Sequence, residues 1–177
     1  MPNYRRTRVE GGCFFFTINL LERSNNKLLI QNIDLLRNVV DRVRKKYPFY
    51  INGWVVLPDH MHCIWTLPAH DTDYSTRIRL IKTLFSKAIP LLEKRSKVRQ
   101  EKGERGIWQR RFWEHTIYDD RDYANHMDYL HFNPVKHGYV KQVKDWPYSS
   151  FQHCVCRGDY QEEWGGLDID LSVGELL

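Results

Sequence analysis

Residues 57–67 read Leu-Pro-Asp-His-Met-His-Cys-Ile-Trp-Thr-Leu, and from Met61 every second position is apolar: Met61, Cys63, Trp65 and Leu67. A β-strand puts alternate side chains on one face, so this row must pack into a core while His60 and His62 point together from the other face. The alternation restricts the chain to folds with a sheet buried on at least one side. It also sets two imidazoles, neutral near pH 7, where they can share one divalent ion. The ordinary alternative is a pair of surface or core histidines, so the neighbours must decide.

Residues 13–20 alternate in the same way, with Phe14, Phe16, Ile18 and Leu20 against Phe15, Thr17 and Asn19, and Gly11-Gly12 marks a turn before them. Across 31–47, Ile33, Leu36, Val39, Val40, Val43 and Tyr47 recur at helical spacing, and Pro48 stops that helix. Strands at about 50–57 and 60–67 join at Pro58-Asp59. A second helix over 75–89, with Ser75 as candidate cap, buries Ile78, Ile81, Leu84, Phe85 and Ala88, and Pro90 ends it. Lys94 to Arg105 is strongly charged and reads as a mobile loop. Residues 111–118 read as a fourth strand. The order β-α-β-β-α-β is that of the split ferredoxin-like unit, an α+β fold with an antiparallel sheet and helices on one face. The other face, with the histidines, is expected to be open.

One more helix follows. Asp119 or Asp120 caps it, Tyr123, Met127 and Leu130 form its apolar stripe, and it is expected to end by Asn133, because Pro134 disfavours helical geometry in the residue before it. Tyr129 lies off that stripe, four residues from both Asn125 and Asn133, so it shares their polar face. Asn133 offers a carbonyl oxygen as a third ligand, and Tyr129 is a candidate nucleophile. An ordinary phenol is ionised in only about one molecule in a thousand at pH 7, so a nearby metal or a base must assist. Packing and helix termination are the ordinary uses of such residues. The four together are more specific than any one.

The chain's 177 residues suit one domain with a sizeable core. No apolar stretch approaches the roughly 20 residues that span a bilayer, and Met1–Arg6 leads into no long apolar region, so no membrane anchor or secretory signal is expected. Cys13, Cys63, Cys154 and Cys156 form no disulfide framework, which fits a reducing cytoplasm. His153-Cys154-Val155-Cys156 lacks the usual two-residue ligand gap and reads as ordinary packing. Charge divides the chain. From Gly158 onward there are six acids and no Lys or Arg; the 16 acids that remain of 22 face all 27 basic residues, a net of +11 before Gly158. The expected organisation is a basic body over 1–157 and an acidic tail over 158–177, which is either a solubilising end or a segment that folds over the basic groove. A body this basic points to a polyanionic partner, nucleic acid first. Arg5, Arg6 and Arg8 make a basic arm, Arg77, Arg79, Lys82 and Lys87 are expected on the exposed side of the second long helix, and Trp108, Arg110, Arg111, Phe112 and Trp113 mix cations with aromatics as single-strand binding requires.

Pro58-Asp59-His60-Met61-His62 resembles the His-hydrophobic-His motif of the HUH nucleases, and Asp128-Tyr129-Leu130-His131-Phe132-Asn133-Pro134-Val135-Lys136-His137-Gly138 resembles the tyrosine-helix signature of single-tyrosine transposases. The nearest subgroup is the REP-associated tyrosine transposases of bacteria. Tyr4-Arg5-Arg6 with Gly11-Gly12, Trp108-Gln109 to His115, and Asp145-Trp146-Pro147 extend the likeness over nearly the whole chain. The resemblance implies that His60, His62 and Asn133 bind Mg2+ or Mn2+, and that Tyr129 cuts single-stranded DNA, stays joined to the 5′ side and frees a 3′ hydroxyl. It implies a substrate that is a repetitive extragenic palindrome hairpin with unpaired nucleotides beside it. Arg5, Arg6, Arg8, Arg110, Arg111 and Trp113 are the expected DNA contacts, and the expected place is the bacterial cytoplasm with its nucleoid. A monomer is expected because the link from the fourth strand to the tyrosine helix is short, although a dimer stays open. The alternative is a hairpin-binding protein that has lost cleavage. A small-molecule metallohydrolase explains the histidines but not the basic body.

Overall fold

The computed structural model describes residues 6–91 and 93–166. Along the chain it places β1 (Cys13–Asn19), α1 (Leu28–Gln31), α2 (Ile33–Lys46), β2 (Tyr50–Val56), β3 (His60–Thr66), α3 (Tyr74–Ala88), α4 (Lys97–Glu101), β4 (Trp113–Thr116), α5 (Asp120–Lys136) and α6 (Phe151–Arg157), with a 3-10 turn at Val143–Asp145. The sheet order is β2-β3-β1-β4, and the paired strands are antiparallel, so the α+β ferredoxin-like expectation holds. Among the described residues no helix is long and apolar enough to cross a membrane.

Both faces of the sheet are covered, contrary to the expectation of an open one. On one face Phe14, Phe16, Ile18, Met61, Cys63 and Trp65 pack with α2 and α3, through residues such as Leu36, Val40, Ile78 and Phe85. On the other, Phe15, Val55, Leu57 and Ile64 pack with Met127 and Leu130 of α5, Trp146 and Cys154. The histidine face is therefore half apolar, and burying those residues away from water draws α5 onto it. Gly53 permits the close approach. It follows a bulge after Ile51, and a Cβ there would lie 2.7 Å from Met127 Sδ.

α5 continues through Pro134 to Lys136 instead of ending at Asn133. The proline removes one amide donor. The ladder resumes with the His137 N–H on the Asn133 carbonyl at 3.0 Å. Burial of Met127, Leu130, His131 and Asn133 holds the segment helical across the break. The helix thus carries Lys136 and His137 onward in register with Tyr129 and Asn133.

Two other expectations change. Residues 94–105 contain α4 and are tied down by Arg105, whose guanidinium pairs with Glu93 at 2.5 Å and donates to the Ser86, Ile89 and Pro90 carbonyls. Arg77 is not a surface cation. It is 3% exposed, bonds Asp71 at 2.6 Å and donates to the carbonyls of Tyr47, Pro48 and Asp73. Gly158 to Gly166 follow α6, and Tyr160 donates from its hydroxyl to Asp128 of α5 at 2.6 Å and meets Trp164 at 4.8 Å. The remaining acids of the expected tail, Asp168, Asp170 and Glu175, lie outside the described residues, as does Arg5.

Candidate active site

Antiparallel register sets Thr17 of β1 opposite His62, and Asn19 opposite His60. Both pairs point to the α5 side. Thr17 Oγ1 and His62 Nδ1 are 2.9 Å apart, and His60 Nδ1 lies 2.7 Å from Asp59 Oδ1. Asp59 Oδ2 accepts from Arg23 Nε at 2.7 Å. Each imidazole is therefore held through Nδ1, which leaves Nε2 of each for another partner. A carboxylate behind His60 and a hydroxyl behind His62 are the supports that metal-ligating imidazoles commonly have. Burial raises the Asp59 carboxyl, but the bonds from His60 and Arg23 outweigh it and hold it at about 2.

The two imidazole rings are 5.0 Å apart and nearly perpendicular, at 87°. Burial, followed by the charges of His60 and His137, pushes His62 well below the usual imidazole range, with the Asn133 side chain acting the other way. A neutral ring is the form that ligates metal.

α5 brings the rest. The Tyr129 ring meets His62 edge-on at 5.4 Å and Phe15 at 5.9 Å. Tyr129 therefore faces the sheet instead of pointing off the packed side. Asn133 is wholly buried, and its Nδ2 donates to the Tyr129 carbonyl at 3.3 Å. That bond orients the carboxamide with Oδ1 free of the helix. Asn133 Oδ1, His62 Nε2 and Asn19 Oδ1 are buried without a hydrogen-bond partner among the described residues. An unpaired buried polar atom is costly. Two nitrogen donors and an amide oxygen, with orphaned atoms on two of the three residues, fit a divalent cation. Lys136 Nζ lies 5.0 Å from the Tyr129 ring centre, and the His137 ring lies 5.2 Å from His60.

Thr17, Asp59, Lys136 and His137 were not marked as site residues from sequence. Asp59, Lys136 and His137 had a signal, since each lies in a motif quoted for the resemblance. Thr17 had none without the strand register.

The expected DNA contacts divide. Trp113 is 36% exposed on the histidine side of β4, with its ring 5.8 Å from Phe15. Arg6 lies on the other side, 3.8 Å above the Phe112 ring and bonded to buried Glu114 at 2.7 Å. Arg8, Arg110 and Arg111 are exposed, and Arg110 pairs with Glu104 at 3.0 Å. A cleft of about 550 Å³ beside α3 is lined by cations that include Arg6, Arg79, Lys82, Lys87, Arg99 and Arg110. Burial, with Arg6 nearby, lowers Lys82 to about 8. β4 is the sheet's edge strand, so this basic cleft and Trp113 flank one edge.

Residues 20–133 match the family model described as "Transposase IS200 like". The chain is 48% identical over 177 residues to the REP-associated tyrosine transposase of Escherichia coli (strain K12), covering 100% of this chain and 99% of that protein. A solved structure, a REP-associated tyrosine transposase bound to a REP hairpin, superposes with a TM-score of 0.82 at 47% identity, covering 100% of this chain and 99% of the other. With a family match over most of its length and a full-length relative at this identity, the chain belongs to the IS200-like transposases, in the branch of the REP-associated tyrosine transposases.

Proposed function

We propose that this transposase cuts and rejoins single-stranded DNA beside a REP-type hairpin, with Tyr129 as nucleophile and a divalent ion held by His60, His62 and Asn133. The observation that carries the proposal is the Tyr129 ring at 5.4 Å from His62, beside unpartnered His62 Nε2 and Asn133 Oδ1.

When bound, a magnesium- or manganese-type ion supplies Lewis-acid polarisation of a non-bridging phosphate oxygen. The protein's own residues do the rest. Thr17 and Asp59 fix the two imidazoles, and α5 holds the phenol over them. The Lys136 ammonium stands beside the ring, and the phenol gives up its proton to solvent. Tyr129 Oη then attacks phosphorus, the bond to the 3′ oxygen breaks, and that oxygen takes up a proton to leave as a hydroxyl. The 5′ phosphate stays esterified to Tyr129. An incoming 3′ hydroxyl reverses the step, so the phosphodiester energy is conserved and no nucleotide cofactor is needed. Residues Ile117 to Asp119 alone join β4 to α5, which favours a tyrosine that serves its own chain's histidines.

The substrate rests on the relative bound to a REP hairpin and on the basic cleft along the β4 edge. Phosphates lie along the cations, and an unpaired base stacks on exposed Trp113 as the strand turns toward Tyr129. The test is incubation of the full chain with single-stranded hairpin DNA and Mn2+ or Mg2+. A covalent adduct forms, none forms when EDTA is present from the start or in Tyr129→Phe, and Tyr129→Phe still binds the hairpin. Binding without an adduct in either metal means a hairpin-binding protein that does not cleave.

A further inference from the structure

We infer that the chain has a second metal site, built by His115 of β4 with Asp122 and His126 of α5, which takes a zinc-type divalent ion. This does not rest on the proposed cleavage chemistry. Asp122 and His126 are one helical turn apart on α5, and the short link from β4 brings His115 beside them. One donor atom from each lies within 4.8 Å of the others. Asp122 Oδ2 is 2.8 Å from His115 Nε2, and Asp122 Oδ1 is 2.9 Å from His126 Nδ1. Those separations are close to the roughly 3.3 Å edge of a tetrahedron drawn with metal–ligand bonds of about 2.0 Å. The His115 and His126 rings lie nearly parallel, 4.4 Å apart, so both present nitrogen to the same carboxylate.

The supports of a metal site are also present. The Tyr118 amide donates to Asp122 Oδ2 at 3.0 Å, and Asp122 is set at the helix start by its own N–H bond to the capping Asp119 at 2.8 Å. Burial raises the Asp122 carboxyl, and the bonds from His115 and the Tyr118 amide more than offset this, so it is ionised at neutral pH. Side-chain exposures of 29%, 20% and 15% for His115, Asp122 and His126 leave room for water to complete the coordination shell. Two imidazoles and one carboxylate prefer zinc, cobalt or nickel to magnesium, which keeps its own waters. An ion here would replace the contacts that His115 Nε2 and His126 Nδ1 now make with Asp122, each ring carrying its proton on the other nitrogen, and would clamp the edge strand to the first turns of the helix that carries Tyr129.

Cobalt(II) is the probe, read by visible absorption and by the metal-to-protein ratio after gel filtration of the full chain. The wild-type chain binds two ions, and the His60→Ala/His62→Ala chain binds one. In that background Asp122→Asn, which keeps the shape of the side chain but replaces one accepting oxygen with a donor, weakens binding by at least about tenfold, since loss of mere supporting partners already costs that much. His115→Ala abolishes it. Circular dichroism confirms that each variant is folded, and His126→Gln replaces any that is not. A His60→Ala/His62→Ala chain that binds none, or binding there that survives both Asp122→Asn and His115→Ala, overturns the inference.

Discussion

The Tyr129 ring stands edge-on to the His62 imidazole, 5.4 Å away and inclined at 72°. β3 contributes one partner and α5 the other, 67 residues later in the chain. They meet because the histidine face of the sheet also bears Phe15, Val55 and Ile64, which bury Met127 and Leu130. The apolar contact that covers the sheet is thus the contact that delivers the tyrosine.

Thr17→Val and Asp59→Asn each remove a support of one imidazole and leave both histidines in place. The midpoint of Mn2+ activation should rise about 10- to 100-fold in each. A metal titration of adduct formation on a fixed hairpin checks this. An unmoved midpoint in both variants means that Nδ1 bonding does not matter for the ion.

Gly53→Val sets side-chain atoms where Met127 Sδ already sits 2.7 Å from an ideal Cβ. Overpacking of this kind costs about 1–3 kcal/mol, readable as a lower urea midpoint. Displacement of α5 should also slow adduct formation well below what the folded fraction explains, with hairpin binding retained. Wild-type adduct rates in a destabilised Gly53→Val chain would separate the tyrosine from the helix docking.

His131 is wholly buried on α5, with Nε2 3.1 Å from Ser150 Oγ, and burial lowers it to about 4. The unfolded chain takes up that proton near 6.5. Between the two values the unfolded state binds more protons, so stability is full above pH 6.5 and falls as the pH drops toward 4. The loss over this window is on the order of 2–3 kcal/mol. His131→Gln should flatten it, as denaturant melts at pH 7 and pH 4.5 would show; an equal slope in the variant removes His131 as the cause.

The strand with His60 and His62 and the order of the first four strands were legible because a two-residue period survives in a linear reading. The covering of the second face was partly visible: Phe14, Phe15 and Phe16 leave neither side of β1 polar, and Ile64 follows His62 on its own face. The extent of α5 was not, because a local rule about the residue before proline gave way to burial of Leu130, His131 and Asn133. Lys136 and His137 were passed over for the same reason. Arg77 and Arg6 looked like surface cations because nothing local announces their partners. Arg77 is enclosed by backbone carbonyls from another helix end, and Arg6 pairs with Glu114, 108 residues away.

The central claim concerns which atom receives the DNA. After reaction with single-stranded hairpin DNA and Mn2+, nuclease trimming and proteolysis leave a nucleotide on one peptide, and mass spectrometry locates it. The modification is expected on Tyr129, in wild-type chain alone and not in Tyr129→Phe. A nucleotide on Tyr123 or Tyr139, or an adduct that persists undiminished in Tyr129→Phe, contradicts the account.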